Sequence, residues 1–136
     1  MKMKTLQRRL LREAAIALAL ARLAVRVLPA ARIVAWARRP PKRIKRFAME
    51  EAGNVSWAIE TIGARRWMQA KCLARALAAQ AMLRRRGIAS RLCLGVAREG
   101  QALSAHAWIE IGQDMIVGGA EAPRFTRLVE FGGERA

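Results

Sequence analysis

The side chains in this sequence that are equipped for nucleophilic chemistry are few: two cysteines, Cys72 and Cys93, and one histidine, His106. A thiolate attacks a carbonyl carbon. An imidazole beside it acts as ion partner and later as proton donor to a leaving amine. Cys72 falls where a loop over 63–71 enters a strongly helix-forming run, CLARALAAQAMLRRR at 72–86. A thiol at the first residue of a helix feels the positive end of the helix dipole and unpaired backbone amides, which favour the thiolate. Lys71 adds a cation next to it. Cys93 lies in an apolar run with no helix start nearby and reads as core. A lone cysteine or a lone histidine is by itself more often a packing residue, so the combination of a helix-start Cys72 and a strand-borne His106 carries the argument.

The remaining site candidates are weaker. The Cys72 backbone amide is the preferred oxyanion donor, with the Gln69 side-chain amide second. Trp108, two residues beyond His106, shares its face on a strand. Trp67 precedes Cys72. Both tryptophans are candidate walls of a substrate groove, with core packing as the competing reading. A third catalytic member is harder to find. If a hairpin turns at Gly112-Gln113, the residue across from His106 is 118 or 119, and both are glycine. Asp114 then pairs near Ile111, about 16 Å along the strand, and Glu110 lies about 13 Å from His106. Glu121, just past the glycines, is the acid able to fold back. A backbone carbonyl or a water ranks first as orienting group, Glu121 second and Asp114 third. One histidine and two cysteines make no metal ligand set, and no glycine-rich phosphate loop is present. No metal and no cofactor is expected.

The elements that must position these residues follow from periodicity and punctuation. Leu10, Leu11, Ala14, Leu18, Ala21, Val25 and Leu28 recur at spacings of three and four, which predicts a helix over 5–28 ended by Pro29. A short helix over 30–38 stops at Pro40-Pro41, and 42–46 is a basic connector. Residues 47–62 read as helical with an interruption at Gly53-Asn54, where Asn54 or Ser56 would cap the second piece. In 72–86 the inward stripe is Leu73, Ala76, Leu77, Gln80, Ala81 and Leu83, and Gly87 is the left-handed stop. The period then changes to strands at 91–96, 103–111 and 115–117. The segment 124–131 has no assignable type. The reading is an α+β chain: a Cys-bearing helix packed on a small antiparallel sheet, with a helical N-terminal extension.

With 136 residues there is room for one domain. It divides into a basic helical extension over 1–47 and a catalytic core over 63–136. The net charge of +16 is concentrated at the front: 1–47 hold 14 of the 26 Lys and Arg and one acid, Glu13. Such asymmetry points to an anionic partner, either an acidic peptide or a membrane surface, against the plainer reading of a solvated basic face. Nucleic acid is not expected, because only Trp36 and Phe47 interleave with the basic residues there. The apolar run at 14–21 is far short of the roughly 20 residues that a span requires. A helix lying on a membrane surface fits better. Two cysteines are too few for a disulfide framework, and free thiols in a reducing, cytoplasmic setting are expected, with membrane association open.

Several segments together resemble a known family. KCLARALA at 71–78, LRRRGI at 83–88, LCLGV at 92–96 and AHAWIE at 105–110 look, in that order, like the lasso-peptide leader peptidases, a family with a transglutaminase-like, papain-like fold. ARLAVRVLP at 21–29 and Phe125-Thr126 resemble its two ends. The resemblance implies a cysteine peptidase that removes the leader from a ribosomally made precursor, with Cys72 at the nucleophile position and His106 at the base position. The implied partners are the precursor peptide, a separate leader-recognition protein and an ATP-dependent lasso cyclase. The family often has an Asp on the strand after the His, and the matching position here is near Gly118. That departure keeps open a catalytically weak scaffold binding precursor, recognition protein and cyclase. A basic membrane-surface protein is the alternative from another class.

Overall fold

The computed structural model describes residues 2–41, 49–66, 68, 71–112, 114–118 and 125–132. Four helices precede a run of strands: α1 (Lys2–Val27), α2 (Ala30–Arg38), α3 (Met49–Gly63), α4 (Cys72–Arg85), β1 (Arg91–Glu99), β2 (Ala102–Ile111), β3 (Asp114–Val117) and β4 (Thr126–Gly132). The strands form one antiparallel sheet in the order β3-β2-β1-β4. The α+β reading holds, with helices first and sheet second.

α4 is the centre of the helical layer. Ala74, Ala76, Leu77, Ala78, Ala79, Gln80, Met82 and Leu83 are all buried, so the helix is enclosed on most of its circumference instead of along one stripe. Its many alanines allow neighbours to approach closely. α1 and α3 flank it, and α4 packs on β2. The buried Gln80 amide donates to Ala37 O (3.1 Å) and to Ser90 O (3.4 Å), which fastens α4 to α2 and to the foot of β1. Gly87, at φ 73, supplies the expected left-handed stop.

Side-chain alternation divides the sheet into two faces. Leu92, Leu94, Ala107, Ile109 and Ile111 join the main core with the helices, whereas Cys93 and Trp108 form a second cluster with Phe125.

Three expectations are corrected. α3 runs unbroken through Gly53-Asn54, and Ser56 is no cap: its hydroxyl donates to Ile116 O at 2.6 Å and ties α3 to β3. Burial of Ala52, Val55, Ala58 and Ile59 overrides the local breaking tendency. On α1 the inward stripe covers Leu10, Ala14, Leu18 and Ala21, but Val25 and Leu28 are exposed. The untyped tail contains β4, paired with β1. The connector 42–46 lies outside the described residues.

Candidate active site

Cys72 is the first residue of α4. The residue before it, Lys71, is extended (φ −73, ψ 165) and offers no side-chain cap, so no side chain of the N-cap competes for the first amides of the helix. Arg75 N bonds back to Lys71 O at 3.0 Å, and the Arg75 guanidinium holds Gly63 O at 2.9 Å, bringing the end of α3 to the start of α4. Cys72 is a partly buried free thiol packed against the main core.

His106 is buried near the middle of β2, opposite Gly95 of β1. Its Nε2 lies 3.0 Å from Gly118 O. A carbonyl oxygen only accepts, so Nε2 is the donor in this bond, and in the neutral ring the lone pair is then on Nδ1. The ring stacks between Trp108 (centroids 5.9 Å, 23°) and Phe125 (5.0 Å, 29°). Gly118 has φ +75, and a Cβ there would lie 3.2 Å from His106 Nε2 and 3.0 Å from Ala107 O. The bare backbone is what lets this carbonyl reach the imidazole. Gly95 serves the same wall, since a Cβ there would lie 2.9 Å from the Trp108 ring.

Below Trp108 the second cluster is pinned by charge. The Trp108 indole donates to Glu110 at 2.8 Å, Arg91 reaches the same carboxylate at 2.9 Å, and Arg127 pairs with it as well. Burial opposes the charged form of Glu110, but the indole N–H and both guanidinium groups outweigh it and hold the carboxyl below its usual range. Arg127 also lies over the Trp108 ring, 5.9 Å from its centroid. Burial, reinforced by the Glu110 charge, pushes the Cys93 thiol up to about 12. Cys93, Glu110 and Glu130 bring ligand atoms within 4.8 Å of one another. A protonated thiol and carboxylates already held by Arg91 and Arg127 fit structural packing better than a cation.

Among the described residues no hydrogen bond joins Cys72 to His106. Cys72 packs on the helical side of the sheet, while the His106 ring stacks with Trp108 on the other side. Asp114 pairs with Ile111, five residues along β2 from His106, or about 16 Å. Trp67, Gln69 and Glu121 lie outside the described residues. Sequence reasoning did not find Phe125 as a wall of the imidazole, nor Arg91 and Arg127 as clamps on Glu110. No sequence signal marked this segment, because Thr126 to Glu130 are exposed and show no alternation of burial.

With this geometry in view, comparison with known families is decisive for the fold. Residues 14–130 match the model of the transglutaminase-like superfamily. The chain belongs to the transglutaminase-like superfamily. That superfamily includes cysteine peptidases. Comparison with curated proteins and with solved structures returns no match. The transglutaminase-like match begins inside α1 and ends inside β4, so it takes in every helix as well as the sheet.

Proposed function

We propose that this transglutaminase-like protein is a cysteine peptidase that removes the leader from a ribosomally synthesised lasso-peptide precursor. Cys72 is its nucleophile and His106 its proton carrier. The observation that carries the reading is the His106–Gly118 bond. By fixing the proton on Nε2, it leaves Nδ1 free to work as a base. The positions along the fold support the pair. Gln80 meets Ser90, and Cys72 lies eight residues from Gln80, about 12 Å along the helix. Gly95, the partner of His106, lies five residues from Ser90, about 16 Å along the strand. Both residues therefore lie on the side of the Gln80–Ser90 contact toward which β1 runs, Cys72 among the helices and His106 on the other face of the sheet.

In this mechanism His106 Nδ1 takes the thiol proton. The Cys72 thiolate then attacks the scissile carbonyl, and the first amides of α4 hold the oxyanion. A C–S bond forms as the peptide C–N bond breaks, and the Nδ1 proton goes to the leaving amine. Water, deprotonated by His106, then hydrolyses the thioester and restores the thiol. Gly118 O steadies the imidazolium throughout, the part a carboxylate plays elsewhere. The fitting partners are the precursor peptide, a separate leader-recognition protein and an ATP-dependent lasso cyclase.

The second reading is a catalytically weak scaffold for the same partners. It is favoured by a carbonyl being the described hydrogen-bond partner of His106 and by the absence of a Cys72–His106 hydrogen bond among the described residues. Alkylation of Cys72 as a function of pH separates the two. A paired thiol reacts well below the value near 8.5 of a free one, and His106→Ala returns it upward. An alkylation midpoint that His106→Ala leaves in place would reject the pair. Mass spectrometry of precursor incubated with recognition protein, with and without this chain, tests leader cleavage itself.

A further inference from the structure

α1 carries a second apolar row that the core does not use. Ile16, Leu20, Leu23 and Val27 are exposed to 63%, 61%, 57% and 64%. At about 100° per residue they fall within about 60° of the helix circumference, nearly opposite the buried Leu10, Ala14, Leu18 and Ala21. Beside the row, about 50° around the helix for Arg12 and about 90° for Arg8 and Arg26, stand these three exposed arginines. The one acid of this helix, Glu13, stands on the other flank, where it lines the adjoining cleft and is held by Arg86 at 2.7 Å and Arg85 at 3.1 Å. The other flank opens on an apolar cleft of about 630 Å³ between α1, α2 and α4, walled by Leu28, Ile33, Trp36 and Met82.

We propose that α1 lies along an anionic phospholipid surface, with Ile16, Leu20, Leu23 and Val27 in the acyl boundary and Arg8, Arg12 and Arg26 against the phosphates. Charge complementarity selects this occupant. The row is exposed, with Ile16 and Leu20 at the lip of the cleft. On its Arg8, Arg12 and Arg26 border the charges are of one sign and reach the headgroup level while their stems lie on apolar surface, and the acid on the other border, Glu13, is already paired with Arg85 and Arg86. The cleft beside it offers room for an acyl chain. No described helix is long and apolar enough to cross a membrane, so this one lies on the surface. The inference is independent of the peptidase reading and would place the chain at a membrane whatever reaction it performs.

The test is co-sedimentation of the full chain with vesicles of phosphatidylcholine alone and with vesicles also containing phosphatidylglycerol. The chain partitions onto the anionic vesicles and weakens as salt rises. Each arginine replaced by alanine lowers partition about fivefold, as expected for about 1 kcal/mol per basic residue at such a surface. Leu20→Ser with Leu23→Ser, at exposed positions that leave the circular dichroism spectrum unchanged, lowers it by at least about tenfold. Equal partition of the serine variant would overturn the proposal, since adsorption would then be electrostatic alone. Equal partition onto neutral vesicles would remove the anionic selectivity. Absence of partition onto any vesicle would assign the row to a protein partner. A dimer by light scattering that the serine variant dissociates would assign it to a second copy.

Discussion

At the residue scale the arrangement turns on one carbonyl. Gly118 O fixes the His106 tautomer, and only a glycine at φ +75 brings it there without a clash. The geometry removes one otherwise attractive design, restoring a carboxylate by Gly118→Asp, because an aspartate would carry its Cβ into His106 Nε2 and Ala107 O. Gly118→Ala is therefore expected to cost about 1–2 kcal/mol of stability from the left-handed backbone alone. It should also lower kcat for leader cleavage more than it raises KM, since the imidazole loses its anchor and the substrate contacts stay. An unchanged kcat in a folded Gly118→Ala protein would show that the carbonyl has no orienting role. The two cysteines separate in a parallel experiment. Under the proposed mechanism Cys72→Ala should lose cleavage by at least about a thousandfold while melting normally, because a nucleophile and its base act as one unit. Cys93→Ala should keep turnover and lose about 1–2 kcal/mol, the cost of a small void in a buried cluster. Turnover lost with Cys93 and retained without Cys72 would reverse the assignment.

At the element scale, some of the fold is written locally and some is not. Pro29, Gly87 and Gly112 stop or turn the chain through their own backbone preferences, so α1, the end of α4 and the β2–β3 turn are legible from single residues. The Cys72 helix start and the His106 strand could be placed the same way. β4 could not, because Thr126 to Glu130 are exposed and only Phe131 is buried, so no alternation marks it. It is held instead by backbone pairing with β1 and by Arg127 on Glu110. α3 failed for the opposite reason, with tertiary burial on both sides of Gly53-Asn54 outweighing two poor helix formers. The Glu110 clamp joins β1, β2 and β4 and has a defined pH signature. Its carboxyl is held below the ordinary value near 4.3. Its contribution is therefore complete above that pH and is lost as pH falls through the lower folded value. Glu110→Gln should cost about 1–3 kcal/mol at neutral pH, the upper end being reduced because Arg127 is half-exposed. It should also flatten the acid limb of the stability curve. Parallel acid limbs for wild type and Glu110→Gln in urea unfolding between pH 7 and 3 would mean that other carboxylates govern acid unfolding.

At the scale of the whole molecule, α1 belongs to the core it flanks. Leu18 is fully buried between α3 and α4, and Glu13 ties α1 to the end of α4. The transglutaminase-like match likewise starts within α1. α1 is therefore a structural layer on its inner side and carries exposed basic residues on its outer side. Leu18→Ala should cost about 2–4 kcal/mol, as large-to-small changes at closed sites do. A loss below about 1 kcal/mol by chemical denaturation would make α1 an appendage. The charge makes a separate demand. A net +16 on 136 residues repels itself in the compact state more than in the unfolded chain. Salt acts in two directions here. It weakens the attraction of Glu13 for Arg85 and Arg86, pairs that are mostly shielded or worth little when exposed. It also screens the repulsion among basic residues spread over distances beyond the Debye length, which contracts from about 30 Å to about 8 Å between 0.01 M and 0.15 M. The second effect involves many more pairs, so the melting temperature should rise over that salt range. A melting temperature that falls instead would show that the few ion pairs of Glu13 and Glu110 outweigh the excess of positive charge.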